Sequence, residues 1–206
     1  MPVRVVRPCR LVLALVLAVV VALIATPAQA AHKARHHAHK AAAPAARVSS
    51  AACSDANLIP ASANLDRVAA ATLCLVNQER AAAGLGALRP DAALAGAAAR
   101  HAQDMVARNF FDHVNPSGAD PLARIRRAGY VRPGAGFTVG ENIAAAGGSL
   151  ATPAAMVKMW MGSPGHRANI LDPAYRDTGI GVAPAAPAVL TPGPGATYTE
   201  DFGATS

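Results

Sequence analysis

Aromatic side chains are scarce in this chain of 206 residues, at 4% with a single tryptophan, although hydrophobic residues as a whole make up 52%. The apolar content is therefore mostly alanine and aliphatic, and it is high enough to exclude a chain disordered throughout. Long apolar runs are lacking too. The run from Leu11 to Ala25 has 15 residues, short of the roughly 20 that a membrane-spanning helix needs. Arg4, Arg7 and Arg10 precede it, and the small-residue stretch Thr26-Pro27-Ala28-Gln29-Ala30 follows. This is the pattern of a secretory signal peptide over residues 1–30, cleaved after Ala30; retention as an anchor is the alternative reading.

Acidic residues are absent before Asp55. Residues 31–52 hold Lys33, Arg35, Lys40, Arg47 and four histidines (His32, His36, His37, His39) in an alanine background, the composition of a disordered tail. Such a tail is a solvated segment on the plainer reading. On the sharper one it captures metal weakly or adheres to an anionic wall or membrane surface. From residue 53 onward twelve basic and twelve acidic residues balance. The net charge of +7 therefore comes from the N-terminal segments and gives no support to a nucleic-acid partner.

Cysteine is nearly absent, with three in all. Cys9 leaves with the signal, and the remaining pair, Cys53 and Cys74, reads as a disulfide in an exported protein. The closed loop would contribute about 3 kcal/mol in the chain-entropy model. Residues 53–206 are one domain's worth of chain, able to bury close to 70% of their unfolded surface.

Leu65, Ala69, Leu73 and Val76 recur at helical spacing, and Gly84 is a plausible stop. Asp91 can cap a second helix to about Arg108. Asp120-Pro121 and Thr152-Pro153 start a third and a fourth, because a side-chain oxygen accepts the free amides while proline fits the first turn. Ser163-Pro164 looks like a further start, for a short helix carrying His166. Segments 179–183 and 197–202 alternate with period two and are separated by a Pro/Gly-rich stretch, as paired strands would be. A third strand is expected between Phe137 and Ala144. Together these elements predict an α+β domain with helices packed on a small antiparallel sheet, the alanines allowing close approach.

Five strings in order carry a resemblance: Asn77-Gln78-Glu79-Arg80 with Gly84-Leu85; Phe111-Asp112-His113; Gly140-Glu141-Asn142-Ile143-Ala144; the run from Trp160 to Leu171 with Gly165-His166; and Gly179-Ile180-Gly181-Val182. Over about residues 63–204 the chain resembles the CAP superfamily of cysteine-rich secretory, antigen 5 and pathogenesis-related 1 proteins, in its bacterial SCP-like branch. The resemblance implies an α-β-α sandwich for residues 53–206. It also implies a shallow cleft with two histidines, matching His113 and His166, and a glutamate, matching Glu141. The family's second glutamate falls at Ser163 here, so the four-residue set is incomplete.

Two neutral imidazoles can hold zinc or another divalent metal, with a carboxylate as third ligand or as the acceptor that fixes a ring's tautomer. His113, His166 and Glu141 supply those groups, though their separations match no local signature such as H-E-x-x-H. Asn142, Ser163 and Asn169 are candidates for supporting the cleft. His101 reads as a packed or partly exposed histidine, Asn77 and Arg80 as structural hydrogen-bonders, and Glu200 as an exposed side chain on a sheet edge or a stand-in for the missing carboxylate. No G-x-S-x-G elbow occurs, and Gly134–Gly140 misses the dinucleotide spacing.

Three functions follow as expectations. The first is a secreted, non-enzymatic binding module for an extracellular ligand of the lipid or sterol kind, acting as a monomer. The second is a metal-dependent hydrolase with His113 and His166 as ligands and Glu141 as general base. The third is a cell-envelope protein, wall- or membrane-associated through its basic tail.

Overall fold

The computed structural model describes residues 53–190 and 194–206, so the signal segment 1–30 and the tail 31–52 lie outside the described residues. Helix starts fall where capping side chains stand. α1 (Leu65–Ala82) is followed by Gly84 at φ +74°, a left-handed position that glycine adopts without a Cβ penalty. α2 (Ala92–Ala107) is capped by Asp91, which accepts from the Ala93 and Leu94 amides at 2.8 and 2.9 Å. α3 (Pro121–Arg127) is capped by Asp120 and α4 (Pro153–Gly162) by Thr152. α5 (Pro164–Ile170) begins after Ser163, whose side chain makes no capping bond. There the proline, with its preset φ and no amide to satisfy, marks the start.

The strands are β1 (Arg89–Pro90), β2 (Phe137–Gly147), β3 (Asp177–Ala183) and β4 (Gly195–Thr205), in the order β1-β3-β4-β2. β3–β4 and β2–β4 are antiparallel, with Gly179 opposite Asp201 and Glu141 also opposite Asp201. The expected antiparallel sheet thus gains one short parallel edge, because β1 pairs with β3 through Arg89 and Pro90. A two-residue strand offers no period to read. β4 is internal, with partners on both sides, and β2 is an edge.

Alternation along the strands sends successive side chains to opposite layers. Ile180, Val182, Tyr198 and Phe202 face α1, α4 and α5, packing with Val68, Val76, Met156, Trp160 and Ile170. Gly179 and Gly181 face α2, where a Cβ on either would collide with the backbone of Ala95 or Ala99. Alanines on the helix and glycines on the strand therefore let α2 lie directly on the sheet. A smaller cluster of Leu94, Ala97 and Ile125 joins α2 to α3. The result is the expected α-β-α sandwich.

Cys53 and Cys74 are bonded, with Cα atoms 5.7 Å apart. Asn77 exchanges two hydrogen bonds with the Leu88 backbone. The buried Arg80 donates to the Gly86, Ile170 and Asp172 carbonyls at 2.9, 2.7 and 3.0 Å. Both residues thus tie α1 to its neighbouring loops, as structural hydrogen-bonders should. Glu200 corrects the expectation of an exposed edge position: it is fully buried. It lies on an internal strand and faces the same layer as Tyr198 and Phe202, the layer of α1, α4 and α5.

Candidate functional site

β2 is the edge strand opposite β1, and both helical layers reach it. From one layer the α2–α3 loop carries His113; from the other α5 carries His166. Glu141 projects from β2, and its carboxylate is almost wholly enclosed, with 1% of the side chain exposed. Its Oε1 accepts from His113 Nδ1 at 2.7 Å and its Oε2 from Arg124 Nη2 at 2.5 Å. Arg124 also donates from Nη1 to the His113 and Ala119 carbonyls, each at 2.8 Å. One buried guanidinium thus fixes both the carboxylate and the backbone of the histidine bound to it. Charge-assisted bonds of this kind are short and strong.

His101 adds a third ring. Its Nε2 lies 3.0 Å from the Asp112 carbonyl and 3.9 Å from Glu141 Oε1. A carbonyl only accepts, so Nε2 carries the proton. The 3.9 Å separation is too long for a hydrogen bond. His101 is therefore the packed histidine the sequence suggested, with its ring against the cluster.

α5 is fastened to β2 through two asparagines. Asn142 Nδ2 donates to the His166 carbonyl at 3.1 Å, and Asn169 Nδ2 donates to Asn142 Oδ1 at 2.9 Å and to the Glu141 carbonyl at 3.2 Å. Both supporting asparagines therefore hold backbone, which places His166 without touching its ring. Ser163 makes no side-chain bond to the cluster.

Environment separates the titrating groups. The Glu141 hydrogen bond raises the His113 pKa, while burial works against it. The side chain remains 46% exposed, so solvent screens part of that effect. Burial, and then the charge of His113, lowers His166. Burial also lowers His101, with Glu141 opposing. For Glu141 itself burial acts upward, yet the His113 bond and the Arg124 charge together outweigh it and hold the acid below its usual range. Its register partner Asp201 is fully buried, and its two carboxyl oxygens have no donor. Burial, and then the adjacent Glu141, raises Asp201 well above an ordinary aspartate. Two neighbouring carboxylates cannot both ionise in a dry site; Glu141 has the cations, so Asp201 keeps the proton.

The donor set decides what a metal would meet. Glu141 has both oxygens engaged, and among the described residues no three His, Cys, Asp or Glu side chains group to hold a metal. Two imidazoles remain, His113 through Nε2 and His166, with Glu141 as the outer acceptor that fixes the His113 tautomer. That leaves at most two protein nitrogens for a metal. Such a pair does not fit a catalytic zinc centre with three protein ligands.

Arg124 and Asp201 are the cluster members sequence reasoning missed. Arg124 sits among Arg126 and Arg127 on α3 with nothing to distinguish it. Asp201 could have been found only by aligning strands β2 and β4 so that it faced Glu141.

A family model described as CAP, cysteine-rich secretory protein family, matches residues 73–189, more than half of the chain. The uncharacterized protein YkwD of Bacillus subtilis (strain 168) is 39% identical over 107 residues, 52% of this chain and 39% of its own length. An extracellular SCP-domain protein from Bacillus anthracis str. Ames superposes with a TM-score of 0.52 at 30% identity, over 68% of this chain and 40% of that one. This chain thus spans about two-fifths of either relative. An outer surface protein from Borrelia burgdorferi, at 18% identity, shares the fold with a TM-score of 0.53 over 65% of this chain and 90% of that one.

Proposed function

The chain belongs to the cysteine-rich secretory protein (CAP) family, and on that premise we propose that it acts as an exported binding module rather than a hydrolase, its ligand resting over His113, Glu141 and His166. The observation that carries this reading is the enclosure of the Glu141 carboxylate, 1% exposed and held by His113 and Arg124. A general base needs access to the attacking water and a pKa near the working pH. Glu141 is shut off from solvent and held below its usual range. His113 instead presents its remaining nitrogen to solvent from a fixed tautomer and a fixed backbone, as preorganised recognition requires. A divalent metal bound by His113 and His166 would supply a Lewis-acid contact to a ligand oxygen.

Export is supported by the Cys53–Cys74 disulfide, which belongs to oxidising compartments, and by the extracellular description of the Bacillus anthracis relative. A lipid or sterol is the ligand class to test first. Protein isolated from its own host is extracted for bound lipid, and uptake of a fluorescent fatty acid and a fluorescent sterol is titrated with and without His113→Ala. Saturable uptake that weakens in the variant supports the reading. Metal-dependent cleavage of peptide or ester substrates, abolished by His166→Ala, would overturn it in favour of a hydrolase.

A further inference from the structure

The surface where α3 runs into β2 gathers arginines around one ring. Phe137, the first residue of β2, is 39% exposed, and the Arg126 guanidinium lies over its face, 5.0 Å from the ring centroid. Arg126, Arg132 and Phe137 line a hollow of 710 Å³, completed by the loop that includes Pro133 and Gly134. A second hollow of 340 Å³ adjoins it at Gly136 and Phe137 and is lined by Arg176, Thr138 and Ser206. No Asp or Glu side chain lines either. The acid beside Arg176 in sequence, Asp177, is already occupied by Tyr130 Oη at 2.9 Å and Arg89 Nε at 3.1 Å. Among the described residues the Arg132 guanidinium has no hydrogen-bond or ion-pair partner, whereas Arg67, Arg89, Arg108 and Arg124 are matched to carboxylates.

This arrangement is selective about what it can hold. Guanidinium groups present forked donors that match phosphate oxygens bidentately. A cation stacked on a ring is held in place, so little of its freedom is lost on binding. Uncompensated positive charge at the mouth of an apolar-sided hollow repels cations and leaves a neutral ligand with unpaired donors. The volume of the larger hollow suits a ligand of small-molecule size.

We propose that the Arg126–Arg132–Phe137 hollow is a second binding site, for a phosphate-bearing ligand whose apolar portion lies against Phe137. The hollow shares no lining residue with the His113–Glu141 pair and does not depend on the function proposed for it. A phosphate ester in solution and a phospholipid headgroup share this chemistry, and the measurement distinguishes them.

The full chain is titrated with glycerol phosphate by calorimetry and with phosphatidylglycerol/phosphatidylcholine vesicles by co-sedimentation, each at two salt concentrations. The Arg126→Ala/Arg132→Ala variant, Phe137→Ala and the control Lys158→Ala, an exposed cation on α4, are compared with the wild type. Both arginines are exposed, so thermal melts should match. Expected is salt-sensitive binding that falls about fivefold for each arginine removed, roughly twenty-five-fold for the pair, with Lys158→Ala unchanged. Binding to vesicles alone, weakened by Phe137→Ala, identifies the lipid headgroup; binding of glycerol phosphate as well identifies the soluble ester. No binding of either probe, binding within twofold of wild type in the double variant, or an equal loss in Lys158→Ala overturns the proposal. The last two would mean that the tail or general charge is responsible.

Discussion

Replacing Glu200 by glutamine should make the domain more stable at neutral pH, and the reason is visible in the sheet. Glu200 is fully buried on β4 with one hydrogen-bond contact, between its Oε1 and Thr178 Oγ1 at 3.3 Å, while its Oε2 has no partner. Burial pushes its pKa up to about 8, with Thr178 and the charge of Arg80 opposing. The unfolded chain ionises this acid near pH 4.5 and the folded chain near 8. Folding therefore carries no penalty from Glu200 below pH 4.5, an increasing one as pH rises between the two values, and a constant one above. Each pH unit in that window costs up to about 1.4 kcal/mol, which gives an upper bound of about 3 kcal/mol at pH 7. Glutamine cannot ionise, but its amide leaves a buried group short of a partner, as the acid does. A net gain of about 1–3 kcal/mol is expected, or roughly 3–8 °C in Tm for a domain of this size. Thermal melts of the wild type and Glu200→Gln from pH 4.5 to 8.5 test it directly. The two curves should converge at the acid end and diverge toward pH 8. Parallel curves, or a variant less stable at every pH, would refute the claim that a neutral acid is buried here.

Three further outcomes are expected. Glu141→Gln should bring the His113 pKa down toward that of an ordinary histidine, since the Glu141 hydrogen bond is the main force raising it; an NMR titration reads the change, and an unmoved midpoint contradicts the 2.7 Å contact. Cys53→Ser/Cys74→Ser should cost about 3 kcal/mol by releasing a loop with a sequence separation of 21, measured by urea denaturation. Gly181→Ala should cost several kcal/mol, or prevent folding, because its methyl would meet the Ala99 backbone of α2; a melt within 2 °C of wild type, roughly 1 kcal/mol, would mean that α2 can lift off the sheet.

The helices and the long strands were readable because each is announced locally. Asp91, Asp120 and Thr152 stand at their helix starts and cap them, and Gly84 follows α1 with positive φ. The strands run further than their alternation showed, since the β2–β4 ladder continues to Gly147 and Gly195 through backbone bonds that no side chain marks. Glu200 was misplaced for a related reason. Alternation shows which residues share a face, but whether β4 is an edge or a centre depends on which strands flank it, and those lie 20 and 60 residues away in sequence. The candidate site was legible to the extent that motifs named His113 and Glu141, which hydrogen-bond to each other, and His166. Its electrostatics were not, because Arg124 and Asp201 reach Glu141 only through the docking of α3 and the β2–β4 register.

Burial also changes the charge that the folded domain shows to its surroundings. By sequence, twelve cations face twelve acids from residue 53 on. Glu200, with a pKa near 8, is mostly protonated at pH 7, and Asp201 stays protonated beside the ionised Glu141. Glu200 thus drops out of the count at pH 7 and Asp201 is shifted the same way, so the folded domain's net charge moves above zero. The excess concerns the surface, because several remaining acids are matched: Asp55 to Arg67, Asp104 to Arg108, Asp177 to Arg89, Glu141 to Arg124. What stays unmatched includes Arg126 and Arg132 beside Phe137. Glu200→Gln leaves this balance almost unchanged at pH 7, since it replaces one neutral side chain with another. Electrophoretic mobility of the folded protein should therefore shift little between wild type and Glu200→Gln at pH 6, and separate by close to one charge above pH 9, where only the wild type ionises.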